Sequence, residues 1–536
     1  MRMKYIVNAV FVALFLLGVA AFGATTYYVD SQSGNDGHSP EKAWRSLEKA
    51  SGATLVRGDR LLLKRGVVYT GHLVIKAKGS EGQPVVVDAY GEGAPPKIDA
   101  AGYVAGVHIL ATSFLEVNNL AITSDAGEAK EEPAKKNRYG VFVTAWMAGT
   151  FKHVLLRNLH IHDIFACDQV ELHGRNETSN RGMGIEILPQ STAAFRDMLI
   201  ENCRIERTGF TGIGIHSKNK DGEASTLHDV QVIDNTLKDI GGPGIQPGRM
   251  QGLVVRGNTV DSPGSSRDHR MHGRGSGIWP WSCDDVLIEK NRFLHARGKG
   301  DSCGMHIDFN CKNVVAQYNL SLDNEGGFVE VLGKNYNCAY RYNISVNDGF
   351  RVKGANGAQQ DGKTLWLTGY ADKAKRTGPV NTYIYNNTIY VKKEMRSCFS
   401  IGKTIDGVLI ANNIFHILGP RENVHGDQDD RQEPAGAEIR NVVFRNNLYC
   451  RADLLPPSLP IRDSGMIVGD AKFVRPGGFD PADYIPTAKG LVQNKGIVID
   501  KLPGDAIGLK LGLAATTDFF GKPIVGLPDL GAIEMP

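Results

Sequence analysis

One short pattern recurs along this chain and limits what it can fold into. Runs of apolar, often β-branched residues end in asparagine: FLEVNNLAI, VLLRNLHI, MLIENCRI, VQVIDNTL, LVVRGNTV, VLIEKNRF, VVAQYNLS, CAYRYNIS, TYIYNNTI, VLIANNIF and VVFRNNLY. The asparagines are Asn119, Asn158, Asn202, Asn235, Asn258, Asn291, Asn319, Asn343, Asn387, Asn413 and Asn447. A unit that returns every few tens of residues is the mark of a solenoid. The runs are too short for a helical repeat, and leucine at fixed positions, which leucine-rich repeats need, is missing. The expected fold is all-β, a right-handed parallel β-helix with rungs ~4.8 Å apart. Inward Val, Ile and Leu would fill its core. The asparagines would stack in turns, because Asn tolerates the left-handed conformation and its amide can bond the next rung.

A second motif follows, a glycine and then alternating residues. It reads GVFVT from Gly140, GIEIL from Gly184, GIGIH from Gly212, GIQPG from Gly244, GIWPW from Gly277, GMHID from Gly304 and GFRVK from Gly349. GGFVEV from Gly326 joins the series with its register open. Strand alternation turns the second and fourth residues after Gly outward. The outer column then holds Glu186, His216, Gln246, Trp279, Trp281, His306, Asp308, Glu330, Arg351 and Lys353. A plain solvated sheet shows Thr, Ser and Lys; here indoles, imidazoles, carboxylates and cations converge on a groove.

Composition agrees with a globular, repetitive chain. It has 536 residues, 63 of them Gly, 22% charged and a net charge of +3. That balance excludes a disordered tail and a general polyanion binder, so no nucleic-acid partner is expected. Residues 1–23 read as a secretory signal: Arg2 and Lys4 precede an apolar run, and a cut falls near Gly23/Ala24. A secreted or periplasmic location follows. No later stretch has the ~20 apolar residues that span a bilayer, so no membrane partner is expected. Residues 24–536 form one domain, with a cap and first rung at 24–73, the solenoid at 74–450 and a C-terminal wrap at 451–536. TTYYVDSQSGNDG with AWRSLEKAS reads as a strand, a turn and a helix covering the open end. Eight separated cysteines without a CxxC pair speak against zinc, and no metal or cofactor is expected.

YYVDSQSGNDG, RGDRLLLKRG and the closing TDFFGKPIVGLPDLGAIE resemble the termini of secreted bacterial β-helix proteins of the pectate-lyase-like superfamily that act on polysaccharides. VVAQYNLSLDNEGGF, after GMHIDFN, is similar to a segment of β-helix glycoside hydrolases of the fucosidase and xylanase type. The resemblance implies a polysaccharide or oligosaccharide substrate and a monomer. Lyases share this fold, so the fold leaves the reaction open.

Glycoside hydrolysis takes two carboxyl groups, about 5 Å apart for retention and about 6.5–9.5 Å for inversion. Asp308 is the first candidate, with His306 ~7 Å away on the same face. Glu330, one rung on, is expected about 5 Å from Asp308. Asp323, or Glu325 in the same turn LDNEGGF, reaches in from the rim instead. Glu186, about four rungs or ~19 Å away, belongs to a distant sugar. Trp279 and Trp281 offer ring faces for sugar stacking, with His216, Arg351 and Lys353 as further binding residues. A polysaccharide lyase is the alternative: His306 or Lys353 as base, Arg351 on a uronate, the basic loop SRDHRMHGRG (265–274) drawing in an acidic glycan, and calcium admissible. A non-catalytic glycan-binding β-helix is the third reading.

Overall fold

The computed structural model describes residues 23–127, 137–166, 181–190, 192–220, 223–372, 374–425, 434, 436–455 and 462–535. The signal-peptide reading, on residues 1–22, and Cys167 lie outside them. Three parallel sheets run the length of the described chain. The first has 15 strands, from Thr26–Val29 to Asp463–Ser464, and the second has 14, from Val68–Thr70 to Ile467–Val468. The third begins as six strands, from Leu73–Ile75 to Ile245–Gly248, and resumes as four, from Gly327–Val331 to Arg421–His425. Single bridges carry it across the gap: Ile245 to Ile278, Ile278 to Met305 and Ile307 to Val331. Most rungs contribute one strand to each sheet, as the repeats predict, and the rungs at Ile278 and Met305 join the third sheet by single bridges alone.

The asparagine ladder is real, and it is sharper than the sequence reading. From Asn235 to Asn413 each ladder asparagine gives its backbone N–H and its amide to the Oδ1 of the next. For Asn319 and Asn343 the two bonds are 2.9 and 3.0 Å. The series passes through Asn258, Asn291, Asn319, Asn343, Asn387 and Asn413 to Asn447, all fully buried or nearly so. It opens where the Cys203 N–H donates to Asn235 Oδ1 at 2.9 Å. Asn119, Asn158 and Asn202 stand in a neighbouring column, one residue earlier in register. That column holds the left-handed residues: Asn119, Asn158, Asn202, Asp234, Gly257 and Lys290 all have φ between 52° and 70°. The backbone thus turns in one column and the buried amide bonds in the next.

Glycines at the corner into the third sheet are required by space. A Cβ on Gly244 would lie 2.4 Å from Val260 Cγ1 and 2.7 Å from the carbonyl of Gly277. The helix Leu47–Ser51, capped by Ser46 Oγ on the Lys49 N–H at 3.2 Å, buries Leu47 and Ala50 over the solenoid's open end. The tail covers two of the three outer faces. Leu502 and Leu509 pack on Tyr342, Tyr383 and Tyr385 of the first sheet's outer side. Tyr484, Val492 and Leu530 pack on Ile344, Tyr390 and Ile414 of the second sheet. Neither of these tail clusters packs on the third sheet. Among the described residues no helix is long and apolar enough to cross a membrane, and the seven described cysteines are free.

Asn319→Ala would strand the Asn291 N–H and amide and the Ile288 carbonyl inside the solenoid. At ~1–3 kcal/mol for each buried unsatisfied group, calorimetry is expected to show a loss of about 3 kcal/mol or more. Asn202→Ala, in the exposed turning column, is expected to lose about 1 kcal/mol.

Candidate active site

Register aligns the outer side chains of the third sheet. Glu186 pairs with Gly214 and Gly214 with Gln246. The bridges then set Trp279 opposite Gln246, His306 opposite Trp279 and Glu330 opposite His306. Trp366 follows Glu330. Glu186 is therefore four rungs from the His306–Asp308 rung, as expected. Two expectations change. Glu330 faces His306 rather than Asp308. Arg351 and Lys353 are not in the column, because the chain makes an excursion after Ile344–Val346 and rejoins the sheet only at Lys363–Leu367. Arg351 is buried, donating to the carbonyls of Gln360, Asp301 and Gly298 at 2.9, 3.0 and 3.3 Å. Lys353 is exposed on that loop.

The outer face is also far less open than a solvated column. His306 is 2% exposed and Glu330 5%. Ser276 Oγ accepts the Cys303 N–H and lies 3.1 Å from His306 Nδ1. The Cys303 thiol donates to Glu330 Oε2 at 3.0 Å, and the buried Lys363 ammonium adds its charge to the same carboxylate. Burial brings that lysine down to about 8. Cys303, His306 and Glu330 offer three ligand atoms within 4.8 Å of one another, three of the four a tetrahedral cation takes. Burial and the Glu330 charge push the Cys303 thiol well up; the thiol donates to Glu330, and His306 is joined to the pair through Ser276.

Two more carboxyl groups stand near this rung, and one of them escaped the sequence reading. Asp308 is half-buried; burial, with the Glu330 and Asp301 charges, pushes it up to about 7 against the lowering effect of His306. Asp301 also feels burial, but Arg274 outweighs it and holds the carboxyl below its usual value. The guanidinium grips both oxygens, Nε to Oδ2 at 2.8 Å and Nη2 to Oδ1 at 3.2 Å. Arg274 also feels Asp308 and Tyr370, so the four groups share one electrostatic neighbourhood. Asp301 sits in the left-handed turn GKGDSCG, outside any strand alternation, which is why periodicity did not find it. Asp323 turns out at the corner after the second sheet, where its carboxylate is paired with Arg297. Glu325 lines a cavity of about 670 Å³ beside this rung, with Met271, Arg297, Lys299, Phe350 and Arg351.

Aromatic rings frame the carboxyl groups. Trp279 lies 5.2 Å from the His306 ring, half-buried on the outer side as expected, and its indole N–H has no partner. Trp281, also half-buried, lies under the Arg249 guanidinium at 4.2 Å and near Phe309 at 6.2 Å. Tyr370 meets Phe309 edge-on at 6.4 Å. Upstream, His216 Nδ1 bonds Glu186 Oε1 at 2.7 Å, across the bare Gly214. The arginines of loop 265–274 are bound to carboxylates: Arg267 to Asp239, Arg270 to Asp268 and Asp125, Arg274 to Asp301. They brace the loop rather than offer an open cationic lure. In sum the groove can donate one proton, present one carboxylate and stack sugar rings.

This geometry is that of a solenoid of stacked parallel sheets. A family described as the right handed beta helix region matches residues 105–389, and the chain belongs to that family. It is similar to a lacto-N-biosidase of Bifidobacterium longum subsp. longum, 24% identical over 95% of this chain. The chain spans only 36% of that relative's length. Among solved structures it is similar to the GH136 lacto-N-biosidase of Eubacterium ramulus, with a TM-score of 0.53 and 22% identity over 83% of this chain and 68% of the other, a likeness of fold.

Trp281 owes its seat to a glycine: a Cβ on Gly248 would lie 2.4 Å from its indole. Gly248→Ala is expected to displace the ring from under Arg249. Overpacking of about 1–3 kcal/mol should appear as a lower Tm, and tryptophan fluorescence should shift to the red.

Proposed function

We propose that the protein is an exported glycoside hydrolase that cuts glycans carrying lacto-N-biosyl units. The observation that carries this reading is the carboxyl pair Asp301 and Asp308, driven apart in proton affinity on one rung of an aromatic groove. Two titratable groups separated in this way divide acid and base work. Asp308, protonated up to about neutrality, gives its proton to the leaving oxygen. Asp301, kept ionised by Arg274, supports the positive charge that develops on the sugar ring as its bond to the leaving oxygen breaks, and takes a proton from the water that adds to the anomeric carbon. Trp279, Trp281 and Tyr370 stack and orient the sugars. His306, fixed by Ser276, stands two residues from Asp308 and opposes the rise of its carboxyl. Glu330 supports the floor through Cys303 and Lys363. The names of the similar proteins support lacto-N-biose as the sugar unit, and the apolar leader supports export.

The test uses a chromogenic lacto-N-bioside. Asp308→Asn and Asp301→Asn are each expected to lower turnover by at least about 100-fold; the Tm should be nearly unchanged in Asp308→Asn and lower in Asp301→Asn, which takes from Arg274 the carboxylate it grips. Azide should rescue whichever variant has lost the ionised partner; rescue of Asp308→Asn alone would exchange the two roles. Near-normal turnover in both, or an unsaturated product absorbing in the ultraviolet, would overturn the reading.

The pH profile is a separate check. Asp308 carries its proton below about 7 and loses it above. The acid is therefore present on the acidic side, and kcat/KM is expected to fall as pH rises through about 7. The Asp308→Asn residual rate should lack that limb.

A further inference from the structure

Aromatic character returns on the third sheet, far from the carboxyl pair. Strand Arg138–Ala145 carries Tyr139 and Phe142 outward, their rings stacked with centroids 4.3 Å apart at 9°. His108, in register with Phe142 on the previous rung, stacks on the same ring at 5.2 Å and 23°. Trp146 follows the strand and meets His108 edge-on at 5.9 Å and 87°. The Trp146 indole is nonetheless 58% exposed, and Met147 beside it 62%. A large ring held by packed neighbours yet left in water marks a contact surface.

Its position says which contact. Thr144 pairs with Leu188, which lies in register with His216, and His216 pairs with Gly248. Gly248 bridges to Trp281, and the Ile278–Met305 bridge sets Trp281 opposite Asp308. Thr144 thus heads the row that holds His216, Trp281 and Asp308, and Trp146 lies two residues further along the same rung, beside that row rather than in it. Five rung steps separate that rung from Asp308, ~24 Å. That is the reach of an oligosaccharide several units long. An indole suits such a guest, since a pyranose ring has an apolar C–H face and a polar edge.

We propose that Trp146 is a remote glycan-binding platform, stacking a sugar ring of the same glycan that is cut at Asp301 and Asp308. This rests on the hydrolase reading for its substrate, and the test keeps the two apart by measuring binding without turnover. In an Asp308→Asn background, native gels containing a mucin-type glycoprotein with lacto-N-biosyl termini should retard the protein. Adding Trp146→Ala should weaken apparent affinity about three- to tenfold, and Trp146→Phe should retain most of it. Equal retardation with and without Trp146, or no retardation of the parent, would overturn the proposal. So would a change of oligomeric state in Trp146→Ala with glycan binding intact, which would make the patch a protein contact. Trp146-dependent retardation with no cleavage of the chromogenic bioside by the native protein would leave the platform standing and remove the hydrolase.

Discussion

A buried amide must find partners, and in this solenoid it finds them one rung away. Within the ladder each Oδ1 takes two donors from the asparagine before it, and the amide also reaches a carbonyl one rung back, as Asn319 does to Ile288. A slip of one residue would orphan several buried groups at once, at ~1–3 kcal/mol each. Register is thus held from Asn235 to Asn447. Straight columns on the third sheet follow from it. Glu186, Trp279, His306, Glu330 and Trp366 are distant in sequence, yet they form one line because the ladder does not slip.

The chemistry of the site comes from enclosure of that line. Loop 264–276 and the excursion 349–362 close over a sheet that alternation alone would leave in water. Enclosure costs every charge its hydration, and the outcome depends on the partner each group has. Asp301 has Arg274 and stays ionised. Asp308 has no comparable cation, and burial pushes it up to about 7. Glu330 has the Cys303 thiol and the Lys363 ammonium and becomes part of the floor. Three carboxyl groups in one groove are sorted in this way into three conditions.

The other two faces show why the third is the functional one. The tail from about residue 463 covers the outer tyrosines of the first sheet and the aliphatic side of the second. Turning-column asparagines bind it directly: Asn386 donates to the Asp529 carbonyl at 2.8 Å and Asn446 to that of Lys495 at 2.7 Å. The third face keeps Trp279 and Trp281 half-exposed, with Trp146 and Tyr370 in water.

What the sequence determined by itself was periodic. Strand, asparagine and glycine repeat at intervals, so the architecture, the outward side of each motif and the places of Glu186, His216, Trp279, Trp281, His306 and Asp308 were legible from spacing. What the tertiary structure decided was aperiodic. Arg351 mimicked a column residue because GFRVK copies the motif, but an inserted loop carries it, and Trp366 takes the place. The ladder began at Asn235 and not at Asn119, because the two asparagine columns differ by one residue and both read as strand followed by Asn. Asp301 lies in a turn with no period, and its carboxyl gains meaning only from Arg274, 27 residues earlier. Local spacing sets the direction of a side chain. Its charge depends on which loop folds over it, a property of packing in three dimensions.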